Sequence, residues 1–158
     1  MGHEVAQVCL SGHTVNENAD GNPEFSKDFC TKCGAATITA CPGCGSSIPG
    51  WWHLGGYITV DGNYVSAFCH RCGKPYPWTE AKLEAAKEFA DMMEGLSDEE
   101  REKLKQSLPD LIADTPRTAL AATRWKTYLA KTAQVVADGF KEVMYSVAVE
   151  AAKKGIWG

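Results

Sequence analysis

Three C-x-x-C pairs constrain this chain more than anything else in it: C-T-K-C-G at 30–34, C-P-G-C-G at 41–45 and C-H-R-C-G at 69–73. Each reads as a metal-binding knuckle. A tight turn aims two thiolates at one ion, and the Gly after the second Cys takes a backbone conformation that other residues resist. Buried unligated thiols would have no reason to repeat both the spacing and the glycine three times.

The seventh cysteine, Cys9, has no cysteine three residues on, but in CLSGH it has His13. Structural zinc takes four ligands, so two complete sites need eight donors, and His13 supplies the eighth beside seven thiols. His53 and His70 are its rivals. His70 lies between two ligand cysteines, where an imidazole points outward, and His3 is terminal. The predicted metal ligands are therefore Cys9, His13, Cys30, Cys33, Cys41, Cys44, Cys69 and Cys72, holding two structural Zn2+ per chain.

Two connectivities fit these four pairs. In the sequential one, Cys9 and His13 join Cys30 and Cys33 around one zinc, and Cys41 and Cys44 join Cys69 and Cys72 around the other. In the cross-braced one, pairs one and three share a metal and pairs two and four share the other, as in RING-type binuclear folds. The sequential order is favoured because AATITA (35–40) reads as a strand leaving one knuckle for the next, and GYITVDGNYVSAF (56–68) reads as the hairpin of a ribbon.

All seven cysteines fall within residues 9–72, and clustering of this kind marks metal ligation in a reducing compartment rather than disulfides. The N-terminal residues lack the basic and apolar regions of a secretory signal, and no apolar run approaches the roughly 18 residues that a membrane span needs. A cytoplasmic protein is expected.

The composition changes at about residue 78. Residues 1–78 are rich in Gly, Cys, Pro, Asn and Ser and form the double zinc-ribbon module. Residues 79–158 are rich in Ala, Glu, Lys and Leu with helical periodicity. The expected fold class is α+β: a small binuclear zinc module followed by an all-α region with a long C-terminal helix.

Punctuation places three helices in the second part. The first starts with Thr79 as its cap and stops at Gly95. The second opens on the capping box Ser97-Asp98-Glu99-Glu100 and ends near Leu108, before Pro109. The third has Thr115 as cap and Pro116 in its first turn, and no obvious breaker precedes Gly155, although Gly139 offers one. A continuous helix over 116–154 would span roughly 58 Å. Its apolar face runs from Leu120 through Trp125, Leu129, Val136, Phe140 and Met144 to Ala151, more than two short helices can cover. The remainder suits a partner or a second copy of the chain.

Charge is divided as well. Residues 79–114 carry five basic and eleven acidic side chains, whereas 115–158 carry seven and three. Arg117, Arg124 and Lys131 recur every seven residues and form a basic line expected to face the acidic helices.

With CLSGH, the sequences FCTKCGAATITACPGCG, FCHRCGKPYPWTE and SLPDLIADTPRTALAA and the helical C-terminus resemble the bacterial family catalogued as domain of unknown function 2321, over nearly the whole chain. The resemblance implies a bacterial, cytoplasmic zinc-ribbon protein with a helical tail, and it implies no activity.

Three function classes remain. Catalytic zinc keeps an open position, which eight protein ligands on two metals do not leave, so an enzyme is not expected. A nucleic-acid-binding ribbon could stack bases on Trp51, Trp52 and Tyr57. However, the first part offers only Lys27, Lys32, Arg71 and Lys74 against six acids, and the chain's net charge is -4. A protein–protein interaction or adaptor module, with zinc as staple and helices for docking or homo-oligomerisation through 116–154, is the favoured expectation. A RING-like adaptor of a ubiquitin-like pathway would require cross-bracing.

Overall fold

Residues 4–50 and 65–158 are described by the computed structural model. Trp51, Trp52, His53, Tyr57 and most of the expected 56–68 hairpin lie outside the described residues, as does His3. Contacts divide the chain into two compact units, Met1–Glu80 and Ala81–Gly158.

Among its described residues, the first unit has three very short strands, β1 (Gln7–Cys9), β2 (Thr14–Asn16) and β3 (Thr37–Ile38), in the antiparallel order β2-β1-β3. β3 is the AATITA run. Val8 pairs with both Thr14 and Ile38, and Cys9 lies opposite Thr37, so the sheet presents the first ligand beside its central strand. A sheet this small cannot enclose a large core. Its buried cluster contains Ala6, Val8, Ile48, Tyr76 and Trp78, together with the ligand-candidate thiols of Cys41 and Cys69.

Polar side chains do the work that absent aliphatics cannot. Gln7 is buried, and its amide nitrogen donates to the Lys27 carbonyl and the Thr37 hydroxyl, both at 2.8 Å, while its oxygen accepts from the Lys27 amide at 3.1 Å. Asn16 fixes the following loop in the same way, donating to the Asn22 carbonyl at 2.9 Å and the Ser26 hydroxyl at 3.1 Å. Fully paired, these amides add specificity without the penalty of an orphaned buried group.

α1 (Pro77–Met92) begins with the KPYPW segment. Thr79 lies inside this helix rather than capping it, because its hydroxyl donates to the Ala67 carbonyl at 2.8 Å and Trp78 donates to the Ser66 carbonyl at 3.0 Å. Both bonds fasten the helix start to the strand-like segment before the last knuckle. Tyr76 stacks on Trp78 with ring centroids 4.5 Å apart.

In the second unit, α2 (Asp98–Gln106) has the expected reciprocal capping box between Ser97 and Glu100. Arg101 of this helix donates to the Ala90 and Met93 carbonyls at the C-terminal end of α1, shortly before Gly95 at φ +81°. A short α3 (Pro109–Ile112) follows.

The single long helix expected over 116–154 is instead three: α4 (Thr118–Leu129), α5 (Gln134–Met144) and α6 (Glu150–Trp157). The breaks fall at 130–133 and 145–149, not at Gly139. Ala133 and Val149 take extended ψ values of 140° and 159°, and neither position carries a capping side chain. Folding back brings Trp125 onto Phe140 at 4.2 Å and packs α6 along α4, burying an apolar face that a straight rod would leave in water. Thr132, Val147 and Val149 are weak helix formers whose preferences, a few tenths of a kcal/mol each, do not oppose the reversal. Gly139 and Gly155 are instead points of close approach. A Cβ on Gly139 would lie 2.5 Å from the Phe89 ring, and one on Gly155 would lie 2.6 Å from the Ala122 methyl.

Folding back thus buries part of the expected apolar stripe within the unit. Trp125, Leu129, Phe140 and Met144 are buried, and Leu120, Val135 and Tyr145 remain exposed. The basic line meets the acidic helices as expected at one end, where Arg117 pairs with Asp110 at 3.5 Å.

Candidate metal centres

The three C-x-x-C pairs fold into one repeated turn. In each, the first cysteine's amide donates to the carbonyl five residues on (Ala35, Ser46, Lys74), and the glycine's amide donates back to that cysteine's carbonyl, all at 2.8–2.9 Å. Gly34, Gly45 and Gly73 have φ of +75°, +77° and +74°, a left-handed geometry that explains the invariant residue after each second cysteine. The first sulfur of each pair accepts the amide two residues on, from Lys32, Gly43 and Arg71, at 3.4 Å in all three cases.

CLSGH makes a variant of the same turn with one more residue between its donors. The Cys9 amide donates to the His13 carbonyl and the Gly12 amide to the Cys9 carbonyl, both at 2.9 Å, while the Cys9 sulfur accepts the His13 amide at 3.2 Å. Its glycine sits inside the loop, at φ +96°, where a Cβ would come within 3.0 Å of Trp78.

These four turns meet in sequential pairs. Cys9, His13, Cys30 and Cys33 form one cluster, and Cys41, Cys44, Cys69 and Cys72 form the other, with the ligand atoms of each group all within 4.8 Å of one another. The cross-braced alternative is not the arrangement found. His70 is exposed within its knuckle and belongs to neither cluster.

The donor spacing matches a tetrahedral thiolate site. Sulfurs about 2.3 Å from a tetrahedral ion stand about 3.8 Å apart, and an imidazole nitrogen at about 2.0 Å stands about 3.5 Å from each sulfur. The Cys9–Cys33, Cys41–Cys72 and Cys44–Cys69 sulfur pairs are each 3.7 Å apart. His13 presents Nδ1, at 3.4 Å from the Cys9 sulfur and 3.6 Å from that of Cys30. Which ring nitrogen faces the cluster was not legible in the sequence.

The knuckles, the KPYPW junction and the helices that follow are matched together by one family profile, over residues 2–156. The chain belongs to the bacterial family DUF2321. That family is described as an uncharacterized protein conserved in bacteria. No curated protein and no solved structure matches the chain. The DUF2321 assignment therefore brings no activity with it, and the chemistry of the two clusters has to be read from their own atoms.

In this DUF2321 chain the thiols share charge unevenly. The Ala35 amide and then the Ser11 hydroxyl hold the Cys33 thiol down to about 6, and the Cys72 and Arg71 amides hold Cys69 down to about 6. Burial pushes the Cys9 thiol up. At Cys44 the Ser46 amide pulls downward, but burial and bonds to the three neighbouring thiols outweigh it, leaving the group at about 11. The thiolate form is thus favoured at Cys33 and Cys69, whereas an incoming metal has to displace the protons of Cys9 and Cys44, so metal binding weakens in acid. The residue that sequence reasoning passed over is Tyr76. It stands in the FCHRCGKPYPWTE segment without a metal-ligating group of its own, yet it is buried with Cys41 and Cys69 of the second cluster. Burial and then the charge of Cys69 raise its phenol well above the ordinary tyrosine value.

Replacing His13 with Ala should lower the tightly held metal from about two ions per chain to about one, while His13→Cys should retain both, because a fourth thiolate satisfies the same tetrahedron. Elemental analysis after dialysis against a chelator checks this. An unchanged count in His13→Ala would remove the histidine from the ligand set.

Proposed function

We propose that this chain is a non-enzymatic protein–protein interaction module whose N-terminal unit is held together by two structural zinc ions. The observation that carries this reading is the closure of both clusters. Four protein donors at tetrahedral spacing leave no coordination position for a water or a substrate. Soft thiolates with at most one imidazole suit zinc among the common divalent ions. Free thiols in this number fit a reducing compartment, which supports a cytoplasmic location.

With the metals as staples, binding falls to the surface. Beside the first cluster, the Leu10 amide donates to the Ala36 carbonyl, and Ala36 bridges to Phe29, so Leu10, Ala36 and Phe29 stand in one row. Phe29 is 63 % exposed and Leu10 is 39 % exposed. Apolar side chains set on a metal-rigidified turn lose little freedom on docking, which favours a protein partner. Self-association through 116–154 rests on the smaller exposed set of Leu120, Val135 and Tyr145.

A photo-cross-linking residue at position 29, in the full chain expressed in its bacterial host, should capture a discrete protein adduct that is lost when Leu10 is changed to Ser. The same residue placed at Val135 should give an adduct of twice the chain mass if the helices self-associate. Absence of any protein adduct at either position, together with retention of oligonucleotides at low salt, would replace this reading with a nucleic-acid-binding ribbon.

A further inference from the structure

Tyr76 is 1 % exposed and packs in the same buried cluster as Cys41 and Cys69, one thiol from each knuckle of the four-cysteine centre. Its ring has a clear packing role against Trp78, but its hydroxyl is sealed from solvent with no hydrogen-bond partner among the described residues. A phenylalanine would fill the same space without an orphaned donor. The side-chain acceptors within that buried cluster are the sulfurs of Cys41 and Cys69. A thiol is a poor acceptor, whereas a thiolate held in its anionic form by a metal is a good one.

We propose that Tyr76 is a positioning residue of the four-cysteine centre: when metal is bound, its hydroxyl donates a hydrogen bond to a ligating thiolate, that of Cys69 first. This rests on the metal reading given above. The Cys69 sulfur then accepts two bonds, one from the Arg71 amide at 3.4 Å and one from the phenol. Both draw electron density from the sulfur, reduce its donation to the metal and favour its charged form in a buried setting. Among the described residues, no tyrosine is a hydrogen-bond partner of the three-cysteine centre, so the proposal gives the two sites different outer-sphere chemistry as well as different ligand sets.

Cobalt(II) titration of the full chain, wild type against Tyr76→Phe, separates this proposal from the metal reading beneath it. Wild type should bind two cobalt ions per chain, and fewer would overturn the metal reading and the proposal with it. In Tyr76→Phe the sulfur-to-cobalt charge-transfer band of the four-cysteine centre should move to lower energy, because the freed sulfur is a stronger donor. That centre should also compete against a chelator about 10-fold less well, while the three-cysteine centre stays unchanged. Two ions bound with identical spectra in both proteins would leave the metal reading intact and overturn the role of Tyr76. Should the variant fail to fold, cadmium-113-loaded wild type gives the answer by NMR: a through-bond coupling between the Tyr76 hydroxyl proton and the cadmium of the four-cysteine centre is expected. Couplings from backbone amides alone overturn the proposal.

Discussion

Stripping the metals with a strong chelator should unfold residues 4–80 while the helices of 81–158 keep their structure. Among the described residues, the first unit's sheet consists of strands of three, three and two residues. Its buried cluster counts two thiols among its members. An assembly of that size does not outweigh the conformational entropy of ordering its loops, whereas a four-ligand zinc site contributes about 10–16 kcal/mol of folding free energy at neutral pH. That is comparable to the whole stability of an ordinary domain, about 5–15 kcal/mol. Amide NMR signals from the first unit should therefore collapse on chelation and return when zinc is restored. Signals from α2 to α6 should stay dispersed throughout. Persistence of the first unit's dispersion without metal would show that its amide network and aromatic pair suffice to hold it.

The second unit should be most sensitive at Trp125. This side chain is fully buried, stacks on Phe140 at 4.2 Å, and donates from its indole nitrogen to the Ser107 hydroxyl at 3.0 Å. It therefore joins α4 to α5 and to the end of α2, the contact that makes the helix reversal worthwhile. Trp125→Ala should cost about 3–5 kcal/mol of that unit's stability, from lost burial and the cavity left behind. Val135→Ala, at a side chain 78 % exposed on the same run of helices, should cost less than about 0.5 kcal/mol. Urea unfolding followed by the helical signal checks both. Equal effects would mean that the Trp125–Phe140 stack does not organise the bundle.

The metal ligands were legible in the sequence because a knuckle is a local structure. Cys30 to Gly34 carries its own turn, its own left-handed glycine and its own N–H···S bond, so spacing alone reveals it. His13 came from counting donors, and sequential pairing came from reading AATITA as a strand, which is β3. The helical half was harder to read. An apolar stripe repeats every three to four residues whether a helix runs straight or folds back, and 130–133 and 145–149 contain neither proline nor glycine. What decides the reversal is the long-range meeting of Trp125 with Phe140, and periodicity carries no information about it. Gly139 suggested a break by its identity alone, whereas its function is to let Phe89 approach. Tyr76 was similarly opaque, because only the three-dimensional structure buries this aromatic of a proline-rich segment together with Cys41 and Cys69.

The claim on which the rest depends is that two closed four-donor metal centres staple the first unit. Native mass spectrometry of the intact chain, purified without added metal or chelator, measures this directly. Two closed centres predict a mass increase of two zinc ions per chain, in keeping with the two clusters, and loss of a single zinc in His13→Ala. A chain that carries one zinc or none, with its first unit still folded, would contradict it.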